Sequence, residues 1–291
     1  MLVLIFLWNW FFVFIFVGMF VQTGTAAMLL SLIIMLGLVG ATLTTLGESL
    51  LRFTTGMRKS IQRENQRIQP LLDDLYHEAK VAGLELKERP ELYVADQPFP
   101  NAFALGRRTI AVTSGLLKSA TDEELKGILA HELGHLYYGD SARSATAMVL
   151  NFAGNVATWM ILAVTVVIGF FGRAADRSGV FGLAVGAFVV FLRLFVWICG
   201  KLLDLGFRAV GRKEEFRADQ YAFQVGAGAG LLSFLEKISD LDFSPNGFWE
   251  RVASTHPPIM VRIDKLETLM HGIIFELGEE VAVTLEEGNI H

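Results

Sequence analysis

The residues with the clearest chemical meaning are His131, Glu132 and His135, in the spacing His-Glu-x-x-His. On a helix, positions four apart lie on one face, so the two imidazoles can offer ring nitrogens to one metal ion. Glu132 is rotated from them by about 100° and stands beside that ion, where it can take a proton from water and pass it to a leaving amine. Zinc suits such a site, because three protein ligands leave it an open position. The pattern fixes only three residues and is weak alone; it needs a third ligand. Farther along, Glu215 and Asp219 are again four apart. Glu215 can complete a His2Glu set, and Asp219 can accept a hydrogen bond from the far nitrogen of a ligand histidine. Two alternatives stay open: Glu214 as the ligand in place of Glu215, and a solvated charged face formed with Lys213 and Arg217.

The elements that must position these side chains are legible nearby. Thr121 followed by Glu124 is a capping box, and Asp122 and Glu123 add acid to the first turn. Leu125, Ile128, Leu129, Leu133 and Leu136 keep helical spacing, and Gly139 supplies a stop. The His-Glu-x-x-His segment therefore sits on a helix argued independently of the motif. The segment from Gly211 to Ala222 reads as a second helix. Glu91–Asp96, Ala102–Leu105 and Thr109–Thr113 read as short strands between turns. An open strand edge can hold an extended peptide through main-chain hydrogen bonds, and a simple covered hairpin is the alternative. His77, His271 and His291 show no partner spacing and read as surface or ordinary structural histidines.

Composition sets the context. Of 291 residues 53% are hydrophobic and 19% charged, against about 25% charged in ordinary soluble domains. The deficit is local: residues 1–47 and 144–172 carry no charged side chain, and 178–200 carry only Arg193. A bilayer core needs about 20 apolar residues in helix, which predicts four spans near 3–21, 27–46, 147–171 and 180–200. Basic residues that include Arg52, Arg58, Lys59, Arg143, Lys201 and Arg212 flank one side, with Arg173 and Arg177 on the other. That bias places the polar domain and both termini in the cytoplasm. A net charge of −5 gives no basic footprint for nucleic acid. The single cysteine, Cys199, excludes an intramolecular disulfide and a cysteine-based zinc cluster.

Several separated motifs occur in order: His131-Glu-Leu-Gly-His135 with Gly139-Asp140, Arg212-x-x-Glu215-Phe216-x-Ala218-Asp219, and Thr255-His256-Pro257-Pro258 with Arg262. Together they resemble the HtpX-like membrane zinc metallopeptidases and, more distantly, the CAAX prenyl proteases. Pro100-Asn101-Ala102-Phe103-Ala104-Leu105-Gly106 and Thr113–Leu117 belong to the same resemblance, which covers about residues 70–270. Phe216 stands where that family usually has Tyr, and Gly211 where Ser is common. The resemblance implies one zinc ion per chain on His131, His135 and Glu215, with Glu132 as general base and His256 stabilising the oxyanion. Asp219, Asp140 and Arg262 would support the ligands, and Asn101 and Ala104 would hold substrate. For His256, a loop residue held by the Pro-Pro turn and a zinc ligand replacing Glu215 are the alternatives.

The expectation is a mainly α membrane protein: four transmembrane helices plus a discontinuous α+β zincin-type (gluzincin-like) peptidase domain with a small β-sheet. Residues 1–47 would form a first transmembrane hairpin. Residues 48–70 would be a juxtamembrane linker lying along the membrane as helix. Residues 71–146 and 201–291 would be the two parts of the peptidase, separated by a second hairpin at 147–200. The function expected is a zinc endopeptidase of the cell (inner) membrane acting on misfolded membrane proteins, close to the bilayer surface. Its alternatives are a CAAX-type prenyl-protein endopeptidase and an inactive membrane scaffold.

Overall fold

The computed structural model describes residues 1–175, 179–239 and 259–271. In chain order these form α1 (Leu2–Gly18), α2 (Gly24–Thr42), α3 (Thr45–Thr54), β1 (Arg58–Lys59), α4 (Gln62–Val81), β2 (Glu91–Ala95), β3 (Ala102–Leu105), β4 (Thr109–Thr113), α5 (Ser114–Ser119), α6 (Asp122–Tyr138), α7 (Asp140–Ala175), α8 (Val180–Gln224) and α9 (Gly228–Ser239). A further helix, α10, covers 259–271. The chain divides into two units, Met1–Leu51 with Ser141–Val210 and Arg52–Asp140 with Gly211–His291.

In the first unit, Gly24–Thr42, Asp140–Gly172 and Val180–Lys201 are long and apolar enough to cross a membrane, whereas α1 is an apolar helix of 17 residues. Ile5, Phe12, Met35, Leu150 and Ile161 build its core. Many large side chains point outward instead, among them Phe170, Leu183, Phe191 and Trp197. Polar pairs link the helices: Asn9 donates to Asn151 Oδ1 at 2.8 Å, Trp10 to Ser31 Oγ at 2.9 Å, and Thr42 and Thr146 share a 2.9 Å hydrogen bond. The helix ends differ from the hydropathy reading. Thr23 accepts the Ala26 N–H at 3.4 Å to start α2, and Thr44 accepts the Gly47 N–H at 3.2 Å, so α2 stops at Thr42 and α3 begins. Threonine hydroxyls cut the apolar run where hydrophobicity alone does not.

The linker reading of 48–70 as one surface helix is corrected by α3, β1 and the start of α4. The Arg58 guanidinium bonds both carboxylate oxygens of Glu64 (2.8 and 2.7 Å) and both of Asp96 (2.9 Å each), and β1 pairs antiparallel with β2. An arginine that satisfies two carboxylates at once fixes an extended segment that sequence periodicity does not show. The helix expected to begin at Gly211 is likewise the end of α8, which contains no proline between Val180 and Gln224.

In the second unit the sheet runs β1-β2-β4-β3, with β2 parallel to β4 and β3 antiparallel to it. β4 is buried throughout, and β3 stands last in the order of the described strands. Helix α6 packs against α4, α9 and β3. Their shared core includes Ile68, Leu75, Val94, Ile110, Leu125, Leu129, Leu133, Tyr221 and Leu266.

Helix α6 carries both ends expected of it. Thr121 Oγ1 accepts the Glu124 N–H, and Glu124 Oε2 accepts the Thr121 N–H at 2.7 Å. Gly139 closes the helix at φ 70°, a left-handed conformation that costs glycine little. Burial disfavours ionised Glu124, but the Thr121 N–H and the Lys237 ammonium, 3.0 Å away, outweigh it and lower the carboxyl pKa. A lowered folded-state pKa gives stability that is present above the unfolded value, about 4.3, and is lost as pH falls through the folded one. Glu124→Gln is therefore expected to cost about 1–2 kcal/mol at neutral pH. The difference from the parent should shrink as pH falls below about 4.3 and on through the lower folded-state value, as read from melting in detergent across pH. An unchanged neutral-pH melting temperature would contradict this.

Candidate active site

Helix α6 presents His131 and His135 on one face, and α8 brings Glu215 to them. The two Nε2 atoms lie 3.2 Å apart; His131 Nε2 is 3.4 Å from Glu215 Oε2, and His135 Nε2 is 3.3 Å from Glu215 Oε1. Ligands bound tetrahedrally to zinc at 2.0–2.1 Å stand about 3.3 Å from each other, so the spacing fits. The chemistry of the donors fits as well. Each ring turns its Nδ1 to a carboxylate: His131 to Asp219 Oδ1 at 2.8 Å and His135 to Asp140 Oδ2 at 3.4 Å. Nδ1–H donation to those oxygens leaves both Nε2 lone pairs converging with a carboxylate, an arrangement that calls for a cation.

Arginine offsets part of the negative charge around the trio. Arg262, from α10, donates to Asp219 Oδ2 at 2.9 Å and to Oδ1 at 2.6 Å, and stands 3.4 Å from Glu215 Oε2. Burial favours a neutral Asp219, yet Arg262 and His131 hold it down to a pKa of about 2. Burial also opposes protonation of the rings, and Arg262 adds to this at His131. Asp219 and Glu215 still raise the His131 pKa, and Asp140 and Glu215 push His135 up to about 10. The Arg262 Nη2 approach to His131 Nδ1 at 3.3 Å sits beside the shorter Asp219 bond, which takes the ring proton. Glu132 is buried on α6, one residue from His131.

Gly134 permits this meeting. A Cβ at that position would stand 2.9 Å from Ala218 Cα and 3.0 Å from Tyr221 Cβ, so the bare backbone lets α8 lie against α6. Ala218 is fully buried between Glu215 and Asp219 along the chain.

The family assignment follows from the sequence that builds this site. The pattern of peptidase family M48 matches residues 62–270, spanning α4, both histidines, Glu215 and Arg262. The chain belongs to peptidase family M48. Among curated relatives of this M48 chain, a "Protease HtpX homolog" of Tropheryma whipplei (strain TW08/27) is 31% identical over 237 residues, covering 74% of this chain and 76% of the relative. A "Protease HtpX" of Xylella fastidiosa (strain M23) is 28% identical over 217 residues, covering 72% and 71%. Among solved structures, S. mikatae Ste24p superposes with a TM-score of 0.49 at 16% identity, over 88% of this chain; the M48 chain spans 61% of that protein's length. The chain is accordingly a membrane metalloprotease of the HtpX-like group.

Of the other residues singled out, Asn101 immediately precedes β3. Its N–H donates to Thr113 Oγ1 at 2.9 Å and its Oδ1 accepts the Ala102 N–H at 3.0 Å, while its buried Nδ2 has no hydrogen-bond partner among the described residues. Ala104 lies within β3 opposite Ile110. His77 and His271 are exposed. His256 and His291 fall outside the described residues. The sequence reading named Arg217 only within the alternative of a solvated charged face; it reaches Asp140 Oδ1 at 2.8 Å. Only a contact between two helices reveals that role, since charge-rich helical segments look alike in sequence.

Proposed function

We propose that this chain is a zinc endopeptidase that cuts polypeptides at the membrane, with His131, His135 and Glu215 as metal ligands and Glu132 as general base. The observation that carries this is the set of 3.2, 3.3 and 3.4 Å spacings among the three ligand side chains. A zinc ion held there supplies Lewis acidity, which lowers the pKa of a water molecule and polarises the scissile carbonyl.

The chain's own groups do the rest. Glu132 takes the proton from the attacking water and delivers it to the leaving amine. Asp219 and Asp140 fix the ligand tautomers through Nδ1, and Arg262 holds Asp219 in place. His256, by family resemblance, donates to the developing oxyanion. β3, with Asn101 and Ala104, stands last in the order of the described strands and would hold an extended substrate through main-chain hydrogen bonds. A cytoplasmic site, with α1 serving as a fourth span, accords with the basic flanks. Misfolded membrane proteins then supply the substrates.

The decisive experiment is zinc content per chain for single alanine variants in detergent. His131→Ala, His135→Ala and Glu215→Ala are each expected to lose zinc, and His256→Ala to keep it while losing turnover. Stoichiometric zinc in Glu215→Ala overturns the ligand assignment. Cleavage of a farnesylated CAAX peptide far above an unfolded membrane substrate would move the assignment to prenyl-protein processing.

A further inference from the structure

The two ligand histidines are braced in parallel but unequally. His131 has Asp219 at 2.8 Å, and Asp219 is gripped through both oxygens by Arg262, whose side chain is 6% exposed. His135 has Asp140 at 3.4 Å. Asp140 is itself buried, and its other oxygen, Oδ1, accepts from Arg217 Nη2 at 2.8 Å. Arg217 leaves the same helix as Glu215, two residues on, and its guanidinium lies over the Tyr138 ring, 4.8 Å from the centroid. Tyr138 is the last residue of α6. One stretch of α8 therefore delivers a carboxylate to the metal position and reaches back to the carboxylate behind the second imidazole.

A carboxylate can swing about its Cβ–Cγ bond, and the ring it orients swings with it. An arginine on Oδ1 removes that freedom and leaves Oδ2 turned to His135. We infer that Arg217 is a positioning residue that acts through Asp140 to keep His135 Nε2 aimed at the metal. Its side chain is 44% exposed, so water competes for this brace as it cannot for Arg262, and His135 is the more weakly held of the two rings. The family resemblance assigns Arg217 no role.

The inference rests on the zinc reading, and the test separates the two. Zinc affinity of the full chain in detergent is measured by competition with a chelator at neutral pH. Wild type that binds no zinc defeats the reading itself. If wild type binds, Arg217→Gln is expected to weaken zinc by about tenfold, the lower end of what partners of a ligand usually contribute. Arg217→Lys keeps a cation within reach of Asp140 and should recover most of that loss. In an Asp140→Asn background, Arg217→Gln should add nothing, because its effect passes through the missing carboxylate. If the glutamine variant does not fold, Arg217→Met takes its place, retaining the apolar stem over Tyr138. Wild-type affinity in the Arg217 variant, no recovery by lysine, or additive losses in the double variant each overturn the inference.

Discussion

Glu132→Gln is expected to retain one zinc per chain and the parent melting temperature while losing about 10²–10⁴-fold in turnover. The side chain is buried beside the metal trio, and glutamine matches its shape. What disappears is the capacity to accept a proton from the attacking water. Metal analysis and hydrolysis of a casein-like substrate, made on one preparation, give both halves of the result. Equal absence of turnover in the two proteins would place this chain with inactive scaffolds, since a structural metal site has no use for a base, and equal measurable turnover would show that Glu132 is not the base.

The second large effect is expected from a residue that touches no metal. Gly134→Val puts a branched side chain where a single Cβ would already stand 2.9 Å from the Ala218 backbone. Helix α8 must move away, because backbone cannot yield as a flexible side chain can. Overpacking of this kind costs about 1–3 kcal/mol. The functional loss should be larger, since misplacing a reacting group by about 1 Å can cost 10²-fold in rate, and here it is Glu215 that shifts. Zinc content and turnover should both fall in Gly134→Val, with Gly134→Ala between it and wild type. A valine variant with parent activity would show that the close crossing is not what assembles the ligands.

Much of this site can be read from residue spacing because its parts repeat every fourth position on helices. His131 with His135, and Glu215 with Asp219, each name a face, and Thr121 with Glu124 marks where the first helix starts. What spacing could not supply was the pairing between faces. Arg262 finds Asp219 across 43 positions and Arg217 finds Asp140 across 77; the family resemblance pointed to Arg262 as a support of the ligands, whereas in sequence Arg217 passes for a solvated charge. The strands at Ala102–Leu105 and Thr109–Thr113 are visible because turns bound them tightly. β1 is not, because two residues carry no alternation and the clamp on Arg58 is made by Glu64 and Asp96. The span read as 27–46 overran α2, which ends at Thr42, for a related reason: hydropathy measures the solvent a segment prefers, whereas threonine hydroxyls decide where this backbone turns. The spans read as 147–171 and 180–200 lie inside the longer α7 and α8.

The place of β3 at the rim of the sheet carries a consequence for what this enzyme can take. A strand rim is completed only by a chain whose own amides and carbonyls are at liberty, and a polypeptide within a native fold has already committed them. If β3 takes substrate as proposed, selection for damaged or unassembled clients would need no recognition motif: a polypeptide would qualify by having come undone, and intact neighbours would be spared because they offer no loose thread.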